Sequence, residues 1–346
     1  MRGGVLQSLR SRRRNDGGRR STPASGAAGD RRAELALGAL GVLVLVLIGA
    51  MVVTVAIKAW PSFRYNGLGW FGPGAEVDTE LRAMRESAPL KGHGLLYFTA
   101  WPLLWGTIVT TLAAVALALV VSTFAAIFLT EFAPPRMRRT LDPVIRLLAG
   151  VPSVIYGLIG ILAIAPWVDQ HLLSESRKKS VLYVVQLNGE NLTTGTLILT
   201  VMILPIMVAI TASALSSVPP AWREGSVALG VNRWRTIRRV SLRTVWPAVA
   251  AGTVLATARA LGEAVMLAMV AGSTPFAANP LDGLTFLFEP VRPLAATIFQ
   301  ESEGLTIGPL SHTIYAMGAV LLLSAAMLSL AGWAVKQMLV RQGIRA

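Results

Sequence analysis

Two opposite charges stand four residues apart inside an otherwise apolar run from Pro247 to Gly272: Arg259 and Glu263. That spacing predicts one shared helix face. At about 100° per residue, Gly252, Ala256 and Met266 fall on it as well, and small residues there let a neighbouring helix approach closely. A charge at mid-membrane costs at least about 2.5 kcal/mol, so the pair is expected to face a bundle interior or a water-filled path. Two chemistries stay open. The pair is an internal salt bridge that locks the bundle, or it is part of a route for an anion, drawn by a guanidinium that keeps its charge at any pH. Hydroxyls that could line such a route are those of Thr107, Thr110 and Thr111, although threonines in spans mostly bond back to their own helix. Ser153 is a further candidate, in the run A-G-V-P-S-V-I-Y-G-L-I-G from Ala149. There Pro152 weakens the helix ladder, and Ser153, Gly157 and Gly160 form a small face that favours close packing over pore lining.

A second pattern lies just before that run. Pro219-Pro220 ends one apolar segment and opens a short helix that carries Trp222 and Glu224 and stops near Gly230. Asn232 is a good N-cap for the next helix. In it Trp234, Ile237 and Ser241 or Val240 share a face, with Arg233, Arg235, Arg238 and Arg239 over much of the remainder. Taken alone, this is a basic amphipathic helix lying on anionic lipid. A short rigid helix with a Trp anchor can also transmit a push.

The elements that position these residues follow from composition. Hydrophobic residues make up 53% of the 346 and charged residues 14%, with a mean hydropathy of +0.58, against about 25% charged residues in soluble domains. Several apolar runs reach the roughly 20 residues that cross a bilayer as a helix. Six spans are expected: 35–57, 101–129, 147–168, 196–218, 247–272 and 313–335. Residues 1–34 read as a disordered basic tail. The first span is too long for a signal-peptide core and lacks a cleavage site before Trp60, so it reads as a retained anchor. Residues 58–99 form an extracytoplasmic loop with Trp60, Phe63, Trp70 and Phe71 as interface anchors. A core of five spans occupies 100–337, with the cytoplasmic loop 219–246 inside it and a tail at 338–346. With the N-terminus inside, 22 of the 32 Lys and Arg residues fall on the inner side and 9 on the outer. Cationic bias sets orientation, so both termini are expected in the cytoplasm of a plasma membrane.

The net charge of +14 is therefore a topology signal and not a nucleic-acid footprint. There are no cysteines, and the three histidines (His93, His171, His312) are scattered, which argues against a metal site. The G-x-x-x-x-G-K-[ST] phosphate loop is absent. If ATP drives this protein, another chain hydrolyses it.

Glu224, Gly225 and Ser226, then three residues, then Gly230, resemble the EAA loop of ABC-importer permeases, placed before the penultimate span. Val240-Ser241-Leu242 matches the family's I-x-L ten residues on. Gly225-Ser226 stands for the usual Ala-Ala, and Arg243 for the usual Pro. Together T-E-F-A-P-P-R-M-R-R (130–139), L-L-A-G-V-P-S-V-I-Y-G (147–157) and R-A-L-G-E (259–263) resemble the permease subunit of the phosphate-specific ABC importer, the PstC type, from about residue 100 to 335. The resemblance implies an all-α polytopic membrane protein with the six-helix type I importer (MetI-like) fold. It implies a non-catalytic subunit that translocates inorganic phosphate by alternating access. The implied partners are a homologous second permease (PstA type), a dimeric ATPase (PstB type) and an extracytoplasmic phosphate-binding protein (PstS type). ATP and Mg would sit on the ATPase, with no cofactor on this chain. It assigns Glu224, Gly225, Ser226 and Gly230 to ATPase coupling and Arg259 and Glu263 to phosphate passage, with Ser153, Thr110 and Thr111 as possible pore lining. A permease for sulfate or molybdate, or an ion-coupled secondary transporter acting alone, remain the rival readings.

Overall fold

The computed structural model describes residues 25–74, 76–180, 186–275 and 277–341. Of the tail expected over 1–34, residues 1–24 lie outside the described residues, as do 342–346 at the other end. Residues 25–34 are helical and not disordered: they open α1 (Ser25–Asn66), which passes through Pro61 and runs well beyond the expected end of the first span. The chain divides into two compact units, Met1–Thr54 and Val55–Ala346. In the first unit the described residues form the first part of α1, whose side chains from residue 33 on are exposed.

The second unit is helical, and among its described residues no strand forms, only a single bridge between Gly272 and Val291. After α1 come a 3-10 turn (Gly67–Phe71) and α2 (Val77–Arg85). Next are α3 (Trp101–Ile127), the amphipathic α4 (Pro135–Ala149), and α5 (Ser153–Ile159), which continues through a π-turn into α6 (Ala165–His171). The short α7 (Glu175–Ser180) precedes α8 (Leu192–Ser216), whose start is capped by Asn191, its side chain accepting from the Thr194 N–H at 3.0 Å. The C-terminal half holds α9 (Pro220–Ala228), α10 (Arg233–Thr236), α11 (Leu242–Leu261), α12 (Val265–Val270), α13 (Leu294–Gln300) and α14 (Gly308–Arg341).

Among the described residues five helical segments are long and apolar enough to cross a membrane: Ala33–Phe71, Trp101–Phe132, Ser153–His171, Leu192–Ser216 and Gly308–Ala334. The run expected as the fifth of six spans is divided instead. Helix α11 stops at Leu261, Gly262 takes the C-cap, and α12 begins at Val265. The break coincides with buried Glu263, whose side chain accepts from the Met266 N–H at 3.2 Å and so satisfies a donor at the start of the new helix. Gly262 itself has φ −85°, a conformation open to any residue.

Buried Ala114, Ala118, Tyr156, Leu199, Met202, Ile203, Ala256, Met266 and Val270 join α3, α5, α8, α11 and α12 into one core. A second cluster at the N-terminal end of α3 packs Trp70, Val77, Leu81, Met84 and Phe98 against α13 and α14. Trp70 is fully buried, with the Phe63, Phe71 and Phe98 rings 4.8 to 5.8 Å away, so it is a core residue and not the expected interface anchor; Trp60 and Phe71 do stay exposed. In the same layer Glu80 accepts hydrogen bonds from the Thr99 N–H (2.9 Å) and hydroxyl (2.8 Å). Burial pushes the Glu80 carboxyl above its ordinary range, outweighing those two bonds, which favour the ionised form.

Candidate functional site: a capped surface helix and a broken membrane helix

The segment after α8 folds as its local signals dictate. Pro219 caps α9 and Pro220 takes its first position, where a missing N–H costs nothing. The other end closes in a Schellman arrangement: the Gly230 N–H donates to the Val227 carbonyl (2.8 Å) and the Val231 N–H to the Ser226 carbonyl (3.3 Å). That closure needs a residue at φ +77°, which Gly230 supplies without steric cost. Asn232 caps α10, its side chain accepting from the Arg235 N–H at 2.8 Å, as the spacing predicts. None of α9 is buried: Trp222, Glu224, Gly225 and Val227 face outward, and Leu229 beyond it is 84% exposed. A Cβ on Gly225 would meet open space.

Polar contacts hold this exposed helix in place. Ser226 and Thr236 share a hydroxyl–hydroxyl hydrogen bond of 2.9 Å, tying α9 to α10. Arg223 reaches two elements: its guanidinium donates to the Leu215 carbonyl at the end of α8 and lies 2.9 Å from the Glu131 carboxylate. Glu131 sits in the π-turn Phe128–Phe132 that follows α3, with its side chain only 8% exposed and that of Arg223 27% exposed. The Oε1 lacks hydrogen-bond geometry to Arg223, so the attraction is ionic. Arg233 donates to the Glu131 carbonyl and lies over the Phe132 ring at 4.7 Å. Beneath, Ala126, Ile127, Leu215, Val218, Ile237, Val245 and Val249 form an apolar cluster. Trp234 does not share the buried face with Ile237 and Ser241 as helical spacing predicts; it is exposed. A π-turn over Ile237–Ser241 changes the register there.

Within the bundle the structure separates the two residues expected to pair. Arg259, in the last turn of α11, is exposed in this chain and within electrostatic reach of Tyr156. Glu263, beyond the helix end, is 9% exposed and accepts from the Met266 N–H at 3.2 Å, capping α12. Among the described residues no ion pair joins them. The shared face requires a continuous helix, and the stop at Gly262 removes it. Gly252, Ala256 and Met266 are nevertheless buried as expected.

The small face of α5 packs tightly. A Cβ on Gly157 would lie 2.8 Å from Met269 Sδ, and one on Gly160 would lie 2.6 Å from Val270 Cγ1. Ser153 is half-buried at the start of that face. Thr110 is buried and donates to the Gly106 carbonyl at 2.6 Å, its hydroxyl engaged by its own helix; Thr111 is buried beside it. Thr107 donates to the Leu103 carbonyl (2.7 Å) and accepts from the Leu294 N–H (2.8 Å), pinning α13 to α3. At that end Arg292, also buried, donates to Asp78. Among the described residues no group of His, Asp or Glu could hold a metal ion.

The site is thus an exposed helix between α8 and α11, beside a helix break that carries the buried Glu263. The chain belongs to the family of binding-protein-dependent transport system inner membrane components, whose pattern matches residues 118–336. It is a multi-pass membrane permease of the ABC-importer class. A probable ABC transporter permease protein of Bacillus subtilis, YqgH, is 32% identical over 292 residues, covering 84% of this chain and 85% of that one. A phosphate transport system permease protein of Mycobacterium tuberculosis, PstC 1, is 32% identical over 259 residues, covering 71% and 74%. Among solved structures, a bacterial ABC transporter that imports the acidic polysaccharide alginate shares the fold, with a TM-score of 0.53 at 12% identity over 91% of this chain and 98% of that one.

Proposed function

We propose that this permease carries inorganic phosphate into the cell. A second permease completes the pathway, a separate ATPase that binds ATP and Mg supplies the drive, and an extracytoplasmic phosphate-binding protein delivers the solute. The observation that carries the mechanical part is α9: a helix with no buried residue, closed at its C-terminal end by Gly230 and tied by Arg223 to Glu131 and to the Leu215 carbonyl. A free helix of nine residues is marginal in water, so its ordered, outward presentation suits a docking element. In this reading Glu224, Gly225, Ser226 and Gly230 enter a cleft of the ATPase on the cytoplasmic side, with both termini on that side. ATPase closure then pushes α9, and the ionic tie passes the push to the ends of α3 and α8.

The phosphate assignment draws on relatives named as phosphate transport permeases. Arg259 suits it chemically. As an exposed, permanently charged guanidinium beside the break, it can take an oxyanion in bidentate fashion once a second permease encloses it. Buried Glu263 fixes the start of α12, four residues on in the chain. The test is uptake by the complete reconstituted complex. Phosphate is taken up only with the ATPase present, and excess sulfate or molybdate does not compete. Competition by either anion reassigns the solute, and uptake by this chain alone under an ion gradient overturns the importer mechanism.

A further inference from the structure

The second half of the coupling segment holds a charged cleft that the docking reading does not use, lined by Asn232, Trp234, Arg235, Arg238, Arg239 and Arg243. The other arginines of this segment are engaged, Arg223 by Glu131 and Leu215, and Arg233 by the Glu131 carbonyl and the Phe132 ring. Among the described residues no ion pair reaches Arg235, Arg238, Arg239 or Arg243. No acidic residue lies between Glu224 and Glu263. The fold does not neutralise these four guanidiniums.

Their placement is fixed. Buried Ile237 and Ser241 hold the opposite side of the segment against the bundle, and the π-turn Ile237–Ser241 runs through the middle of the cleft; such turns concentrate at functional sites. Arg243 is in the first turn of α11, and exposed Trp246 follows three residues on, about 5 Å along the axis. Tryptophans favour headgroup depth, so exposed Trp246 beside Arg243 suits these guanidiniums to the level of lipid phosphates. Exposed Trp234 and Trp246 add apolar surface beside the charges, which suits an amphiphile better than a free ion.

We propose that this cleft binds the phosphate headgroup of an anionic phospholipid and thereby moors the coupling segment to the membrane surface. Planar guanidiniums take phosphate oxygens in bidentate pairs, and a basic cluster at a membrane entry point is where anionic lipid gathers. The proposal rests on the chain being a membrane protein and is independent of which solute it carries.

The test uses the full chain in nanodiscs of phosphatidylcholine with or without phosphatidylglycerol, and counts phosphatidylglycerol retained by native mass spectrometry. Each Arg→Gln change is expected to weaken retention roughly fivefold, and the combined R235Q/R238Q/R239Q/R243Q variant more than a hundredfold. The matching Arg→Lys variant keeps retention closer to wild type; together with the single variants R239Q and R243Q, it carries the test if the quadruple variant does not insert. Inorganic phosphate does not displace the lipid. Three results would each overturn the proposal. One is unchanged retention in the Gln variants. Another is displacement by inorganic phosphate, which would make the cleft a small-anion site. The third is unchanged retention with loss of ATPase binding, which would assign the arginines to an acidic protein partner.

Discussion

The tie between Glu131 and Arg223 makes a quantitative demand. An exposed ion pair contributes about 0–1 kcal/mol, and breaking a fully buried one costs about 3–5 kcal/mol. Here the carboxylate is 8% exposed and the guanidinium 27%, so Glu131→Gln should cost about 2 kcal/mol in holding α9 against the ends of α3 and α8. That corresponds to roughly a 30-fold shift toward the detached arrangement. The Ser226–Thr236 and Arg223–Leu215 bonds remain, so the helix loosens without the bundle unfolding. Hydrogen exchange of the Leu229, Gly230 and Val231 amides, which close α9, should accelerate by about that factor while α8 stays protected. ATP-driven uptake should fall while ATP hydrolysis persists. R223Q also removes the Leu215 bond, so it should lose more than E131Q, and the double variant should lose about as much as R223Q alone. Simple additivity of the two single variants, or wild-type exchange in E131Q, would refute the tie.

Other predictions follow from single contacts. Gly157→Ala places a Cβ 2.8 Å from Met269 Sδ and 3.3 Å from the Met266 backbone, so thermal unfolding in detergent should show a loss of about 1–3 kcal/mol. Glu263→Ala removes the cap of α12, at about 0.5–2 kcal/mol. Glu263→Gln keeps an acceptor for the Met266 N–H, so it should retain stability while losing uptake; equal stability losses in both variants would leave Glu263 a purely structural role. Arg259→Gln breaks no ion pair among the described residues, so it should insert and unfold as wild type does while abolishing uptake. Glu80 has a folded pKa raised by burial above its ordinary 4.5, so its contribution is fully present below 4.5 and is lost as pH rises through the raised value. Protection of the Thr99 amide, corrected for intrinsic exchange rate, should fall over that window, and Glu80→Gln should flatten the dependence.

What the sequence disclosed was local. Pro220, Gly230 and Asn232 act within three or four residues of themselves, so caps and helix ends were readable from spacing alone. The small face at Gly157 and Gly160 was readable for a related reason: glycine repeats on a helix admit few uses besides close approach. The Glu131–Arg223 tie was not readable, because the partners lie in different helices far apart in the chain and nothing in the T-E-F-A-P-P run singles out its one acid. The break at Gly262 was hidden too. Glycine is common in membrane helices, and the four-residue spacing of Arg259 and Glu263 fits an unbroken helix equally well. Trp70 misled because an aromatic after a span usually marks the interface, and only the packing of Phe63, Phe71 and Phe98 around it shows a core.

The central claim is that force enters through α9 from an ATPase outside this chain. Its most direct measurement is phosphate uptake and ATP hydrolysis by the reconstituted complex carrying Glu224→Lys, a change to an exposed side chain in a helix with nothing buried. The account predicts a correctly inserted, normally stable permease whose uptake is lost. Wild-type uptake in that variant would contradict it.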